Sequence, residues 1–194
     1  MNESSPWLHN YTYEEYVALE MSSDIKHEFL DGEIYAMAGG SDEHAALAMK
    51  TGAALSNAIG DQPSRAYNSD LRVRVEAVRL TTYPDASVIC GPVQRYEPGP
   101  ETTALNPTII VEVTSRSSER YDAGEKFEYY KTIPALREYV IVSQRERRIT
   151  VHTREDGNTW RTHVAIKGGS VEIASLNAKL SVDEIYRNTT ISAD

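Results

Sequence analysis

Residues 108–113 read Thr-Ile-Ile-Val-Glu-Val, a β-branched run interrupted by one carboxylate. Such a run predicts a strand buried on both faces, and a strand of that kind needs a sheet covered by other elements on either side. The carboxylate sharpens the constraint, because an ionised Glu112 in a buried strand loses much of its hydration unless it is paired, protonated or bound to a metal. A second acidic residue, Asp85, opens the apolar run 86–90 directly after Pro84. If these two strands are neighbours, Asp85 and Glu112 converge. Converging carboxylates, with a strand carbonyl such as that of Val113, are the hard oxygen ligands that magnesium takes, and magnesium can activate a water for attack on a phosphodiester.

The flanking pattern supplies the rest of an α/β (α+β) domain. Thr12 and Glu15 form a capping-box pattern ahead of a short helix over 12–21. Two apolar segments around Asp31-Gly32 predict a hairpin. After Gly39-Gly40, Ser41 or Asp42 caps a helix that ends at Gly60. The alternation of Leu71, Val73 and Val75 with charged neighbours predicts one half-exposed strand over 66–75, and 84–90 predicts a central one. Residues 91–107 hold four of the eight prolines, Pro92, Pro98, Pro100 and Pro107, with Gly91 and Gly99, and predict a loop without regular structure. A helix over 121–132 presents Lys126, Tyr129 and Tyr130, Pro134 closes it, and 138–142 predicts another buried strand. Segments 149–153, 160–166 and 171–173 alternate like an antiparallel meander, and 182–186 predicts a last helical turn. The expectation is one domain over 1–194: a mixed central sheet flanked by helices with its core at about 42–142, an N-terminal helix and hairpin at 11–38, and a C-terminal antiparallel β extension at 149–186.

With 40% hydrophobic and 25% charged residues the chain has an ordinary globular composition. It carries neither a membrane-length apolar run nor a basic-then-apolar N-terminus, so a cytoplasmic location without membrane contact is expected. The single cysteine, Cys90, lies in an apolar run and excludes a cysteine-based zinc site. The net charge of −9 opposes tight binding to a phosphate backbone, yet clustered carboxylates are what a magnesium site requires. A Ser/His hydrolase is not indicated, since no Gly-flanked nucleophilic serine is present.

The order Pro84-Asp85 followed by Glu112-Val113-Thr114 resembles the PD-(D/E)xK nuclease superfamily. Across about 11–186 the chain resembles the Uma-two family of restriction-endonuclease-like proteins, through Tyr13-Glu14-Glu15-Tyr16, the segments 27–35 and 69–73, Tyr83-Pro84-Asp85, 107–113 with Ser115, and Asp122 through Lys126 to Tyr130. The resemblance implies a restriction-endonuclease-like fold and a magnesium-dependent endonuclease acting on DNA, with RNA left open and Mn²⁺ as a substitute ion. Asp85 and Glu112 would be ligands. Where the superfamily places a lysine two residues after the acidic one, this chain has Thr114; the family resemblance implies Lys126 in its stead, as a fixed positive charge.

Supporting candidates are Asp70, on the strand expected at 66–75, His44 and Glu43 on the helix after Gly40, Glu28 on the hairpin, and Ser115. Ser115 and Asp122 read equally as turn and cap residues, and Arg145, Arg147 and Arg148 as a solvated turn or a phosphate contact. The exposed edge of the extra strands suggests a homodimer. The alternative reading is a nuclease-fold module without catalysis that binds nucleic acid or protein.

Overall fold

The computed structural model of the chain describes residues 10–192 apart from 98, 101, 116, 117, 157 and 158. Helix α1 (Tyr13–Ser22) begins at the expected capping box: Thr12 Oγ1 accepts from the Glu15 amide at 3.1 Å, and the Glu15 carboxylate accepts from the Thr12 amide at 2.8 Å. Strands β1 (His27–Leu30) and β2 (Glu33–Ala36) form the expected hairpin. Asp31 and Gly32 at its tip have φ of +47° and +97°, the left-handed pair that a two-residue turn requires. Helix α2 (Asp42–Ile59) is capped by Ser41, whose hydroxyl accepts from the His44 amide, and Gly60 ends it.

The segment 66–75 is not one strand. It is cut into β3 (Ser64–Asn68) and β4 (Arg72–Val75) by a turn in which Asn68 Oδ1 accepts from the Asp70 amide at 3.1 Å, and the two pieces enter different sheets. Nor is β4 half-exposed. Arg72 and Arg74 are both buried, because Arg74 stacks in a box of Tyr13, Tyr96 and Phe29, 4.5, 5.0 and 5.6 Å from the ring centres.

Strands β5 (Leu80–Thr82) and β6 (Ala86–Cys90) follow. The loop expected to lack regular structure holds the short β7 (Thr103–Ala104), parallel to β4. The buried run is β8 (Ile109–Thr114). The helix expected over 121–132 is two short ones, α3 (Glu119–Ala123) and α4 (Glu125–Tyr130), broken at Gly124, whose φ and ψ of −111° and −100° are not helical. Then come β9 (Glu138–Ser143), β10 (Arg148–Arg154), β11 (Trp160–Ile166), β12 (Ser170–Ile173), β13 (Ala178–Ser181) and α5 (Val182–Ile185).

Three sheets result, among the described residues: a six-stranded one in the order β11-β10-β9-β8-β6-β3, a five-stranded one in the order β2-β1-β5-β4-β7, and the hairpin β12-β13. The expected C-terminal meander is therefore divided. β10 and β11 extend the large sheet, whereas β12 pairs with β13 on top of it, fixed by Glu138, which accepts from the Ser175 amide at 2.9 Å and its hydroxyl at 2.7 Å.

The large sheet is mixed, because β8 and β9 are parallel while their other neighbours are antiparallel. A parallel pair needs a crossover, and α3 and α4 supply it. The faces of β8 divide the core. Ile109, Val111 and Val113 pack among residues of α2 and the C-terminal hairpin, while Ile110 packs with α4 and the small sheet. Each such fully buried aliphatic side chain contributes roughly 1.5–3 kcal/mol. Strand alternation puts Glu112 on the face of Ile110, toward α4.

Candidate active site

Asp85 and Glu112 are set together by register. The β6–β8 ladder pairs Ala86 with Val111, and continuing it by one residue sets Asp85 opposite Glu112. Pairing stops there, and the Val113 amide donates to Asp85 Oδ2 at 2.7 Å instead of to a strand neighbour. His44, from the first turn of α2, holds the other oxygen, with Nε2 2.7 Å from Asp85 Oδ1. That hydrogen bond raises the His44 pKa against the lowering effect of burial.

Glu112 is buried, and its Oε1 accepts from the Tyr130 hydroxyl at 2.7 Å and lies 3.0 Å from Lys126 Nζ. Lys126 and Tyr130 are one helical turn apart on α4, so both reach the same carboxylate. Lys126 is buried too, with Nζ 3.0 Å from Glu28 Oε1 and 3.9 Å from Asp122 Oδ1. Thr82 donates a hydrogen bond to Glu28 Oε1, so the small sheet delivers and orients one partner of the lysine. Burial alone would lower the Lys126 pKa, but Glu112, Glu28 and Asp122 outweigh it and hold the ammonium well above its ordinary range. Lys126 is a fixed cation, not a base.

One ammonium does not balance this many carboxylates. Burial, reinforced by Asp85 and Asp122, pushes the Glu112 carboxyl up to about 8 despite Lys126, and burial likewise raises Asp122. The cleft above these groups encloses about 1160 Å³. Among the described residues its charged lining is Asp24, Glu28, Asp85, Glu112 and Asp122 against Lys26 and Lys126, and Lys26 is itself paired with Asp70 at 2.8 Å. An excess of negative charge around two facing carboxylates suits a hard divalent cation. Among the described residues no three His, Cys, Asp or Glu side chains form a ready-made metal cage. Two facing carboxylates as donors fit a hard ion that keeps much of its water, as magnesium does.

Of the residues singled out from sequence, Asp85, Glu112, Val113, Lys126, Glu28, His44, Ser115 and Asp122 line this cleft. Asp70 does not. Its turn lies outside the strand expected to carry it, and its side chain is 75% exposed against Lys26. Glu43 points away as well and accepts from the Thr190 amide at 2.8 Å. Arg145 and Arg148 share Glu119, and Arg147 donates to the Ile191 carbonyl, which accounts for that cluster as an ion-paired turn. Sequence reading gave no role to Tyr130, Thr82 or Gln144. The i,i+4 spacing from Lys126 was a usable signal for Tyr130; nothing local marks the other two.

A mixed sheet with two acidic residues at the ends of adjacent strands, and a crossover helix beside them, is the arrangement of the restriction-endonuclease-like fold. Residues 13–183 match the model of the Uma-two (Uma2) family, described as "Putative restriction endonuclease". The chain belongs to that family. Similar proteins include two from Synechocystis sp. (strain ATCC 27184 / PCC 6803 / Kazusa). "Uncharacterized protein slr1290" is 34% identical over 174 residues, 90% of each chain. "Uncharacterized protein sll1609" is 32% identical over 149 residues, 77% of this chain and 84% of the other. A crystal structure from Anabaena variabilis, described as a putative nuclease belonging to DUF820, superposes with a TM-score of 0.69 at 16% identity, covering 84% of this chain and 91% of that one. That likeness establishes the fold. Among the described residues no helix is long and apolar enough to cross a membrane.

Proposed function

We propose that the chain is a magnesium-dependent endonuclease that hydrolyses phosphodiester bonds in DNA, in the cytoplasm, with Asp85, Glu112 and the Val113 carbonyl as protein ligands of the ion. The observation that carries this reading is the placement of Asp85 and Glu112 opposite one another at the floor of one cleft, beside a buried lysine. Magnesium, or manganese in its place, would supply Lewis acidity toward a phosphate oxygen and toward a water. The chain's own residues orient and balance charge. His44 and the Val113 amide fix the two oxygens of Asp85, and Tyr130 and Lys126 fix Glu112. Lys126 stays protonated and offers a positive charge to the oxygens of the phosphate under attack, while Glu28 and Thr82 keep its ammonium in place. Lys126 thereby takes the position that Thr114, buried in β8, does not fill.

The test is plasmid cleavage with magnesium and with chelator, in the wild type and in Asp85→Ala and Glu112→Ala. Cleavage should require the ion and fall at least a hundredfold in either variant. Undiminished cleavage in both would refute the assignment.

The acidic lining of the cleft favours one second reading, a nuclease-fold module that binds nucleic acid or protein without cutting. It would retain a partner in the presence of chelator. A homodimer is supported by the seven-residue edge strand β11 with Val164 and Ile166 exposed. Sedimentation as a monomer at micromolar concentration would reject it.

A further inference from the structure

The geometry points to Gln144 as a positioning residue that fixes the His44 imidazole, and through it Asp85, from the turn that follows β9. The Gln144 amide side chain bridges two groups of the α2 N-terminus. Its Oε1 accepts from the Ser41 hydroxyl at 3.0 Å, and its Nε2 lies 2.9 Å from His44 Nδ1.

The proton inventory gives this bridge a direction. Ser41 Oγ already accepts the His44 backbone N–H as the helix cap, so its own hydrogen is available to donate, and Gln144 Oε1 takes it. With the oxygen committed to Ser41, the amide nitrogen faces the ring, and an N–H donor there requires Nδ1 to be the bare acceptor. The ring hydrogen is then on Nε2, directed at Asp85 Oδ1. The opposite tautomer would set a bare Nε2 lone pair against a carboxylate. The chain of bonds therefore runs from a helix cap through an amide and an imidazole to an acidic side chain whose second oxygen is held by Val113.

The bridge is built on fixed ground. The Gln144 amide donates to the Thr114 carbonyl at 3.1 Å, continuing the β8–β9 alignment, and the Tyr186 hydroxyl sits 2.6 Å from the preceding carbonyl, that of Ser143. A hydrogen-bonded partner behind an imidazole sets its ring orientation; loss of a group bonded directly to a metal ligand typically weakens metal binding about 10–100-fold, and Gln144, one bond further out, acts through His44 with a smaller effect. The metal arm of this inference rests on the proposed function; the tautomer arm does not.

The test combines ¹⁵N NMR of the His44 ring, assigned against His44→Ala, with calorimetric titration of Mn²⁺. In metal-free buffer alkaline enough to keep the ring neutral, the wild type should show Nε2 protonated and Nδ1 bare. Gln144→Met, with Asp85 still facing Nε2, should keep Nε2 protonated but shift the Nδ1 resonance as its donor is lost, and should bind Mn²⁺ several-fold more weakly as the ring loosens. Gln144→Glu, which keeps the reach but offers only acceptors when ionised, should add a proton at Nδ1 while Nε2 stays protonated toward Asp85, giving an imidazolium at a pH where the wild-type ring is neutral. Unaltered thermal melting of either variant shows that the fold is intact, and one intact variant suffices. An unchanged ring spectrum in Gln144→Met or Gln144→Glu overturns the assignment, as does Nδ1 protonation in the wild type. If the ring responds as stated but the wild type binds no Mn²⁺, the role of Gln144 toward His44 stands and the metal-site reading fails.

Discussion

Replacing Glu112 by glutamine should stabilise the metal-free protein while removing one ligand of the proposed metal site. Gln keeps an oxygen that can accept from Tyr130 and Lys126 but removes a charge that the fold does not balance. Burial pushes the Glu112 carboxyl up to about 8 from an ordinary 4.5. Between those values the folded state holds a proton that the unfolded chain has released, so stability falls as pH rises through this window. At pH 7 the difference is about 3 kcal/mol, from roughly 1.4 kcal/mol per unit over the interval between the ordinary pKa and pH 7. For a chain of this length each kcal/mol moves the melting temperature by about 2–4 °C, so Glu112→Gln should melt roughly 6 °C or more above wild type at pH 7. The gap should close as pH falls toward 4.5. Thermal melts in metal-free buffer from pH 4.5 to 9 would measure this. A variant that melts below wild type at pH 7, with the same pH dependence, would refute the charge-imbalance argument.

Removing the opposing cation should have the opposite sign. Lys126→Met leaves Glu28 and Glu112 buried without their ammonium and should cost about 3–5 kcal/mol in urea unfolding at pH 8, and much less at pH 5. A loss below about 1 kcal/mol at pH 8 would show that the carboxylates find another partner. The acidic cleft predicts weak salt dependence for nucleic-acid binding: with Ca²⁺ to prevent cutting, a plot of log affinity against log salt should be no steeper than about −2, and a slope near −5 would require a cationic surface elsewhere.

Much of the architecture was legible because its signals are local. The Thr12–Glu15 capping box, the Asp31-Gly32 turn and the β-branched run of β8 each specify their own conformation within a few residues. Failures came where distant groups decide. Alternating charges in 70–76 read as a half-exposed strand, yet Arg72 and Arg74 are buried because Tyr13, Phe29, Tyr96 and Tyr83 arrive from other segments to cover them. The same segment contains the Asx turn that removes Asp70 from the strand and from the cleft. Gly124 marked the break between α3 and α4, but the periodicity of the apolar residues ran across it.

The candidate site divided in the same way. Asp85 and Glu112 could be singled out because a carboxylate at a buried strand is costly and therefore conspicuous. Glu28 was only one hairpin charge among several until the small sheet placed it on Lys126. Gln144 and Thr82 are ordinary polar residues, and only the folded arrangement turns them toward His44 and Glu28.

If one hard cation binds between Asp85 and Glu112, anomalous diffraction from crystals grown with Mn²⁺ should show a peak within bonding distance of a carboxylate oxygen from each residue, absent in Glu112→Gln. A peak bound elsewhere, or none at saturating Mn²⁺, would contradict that placement.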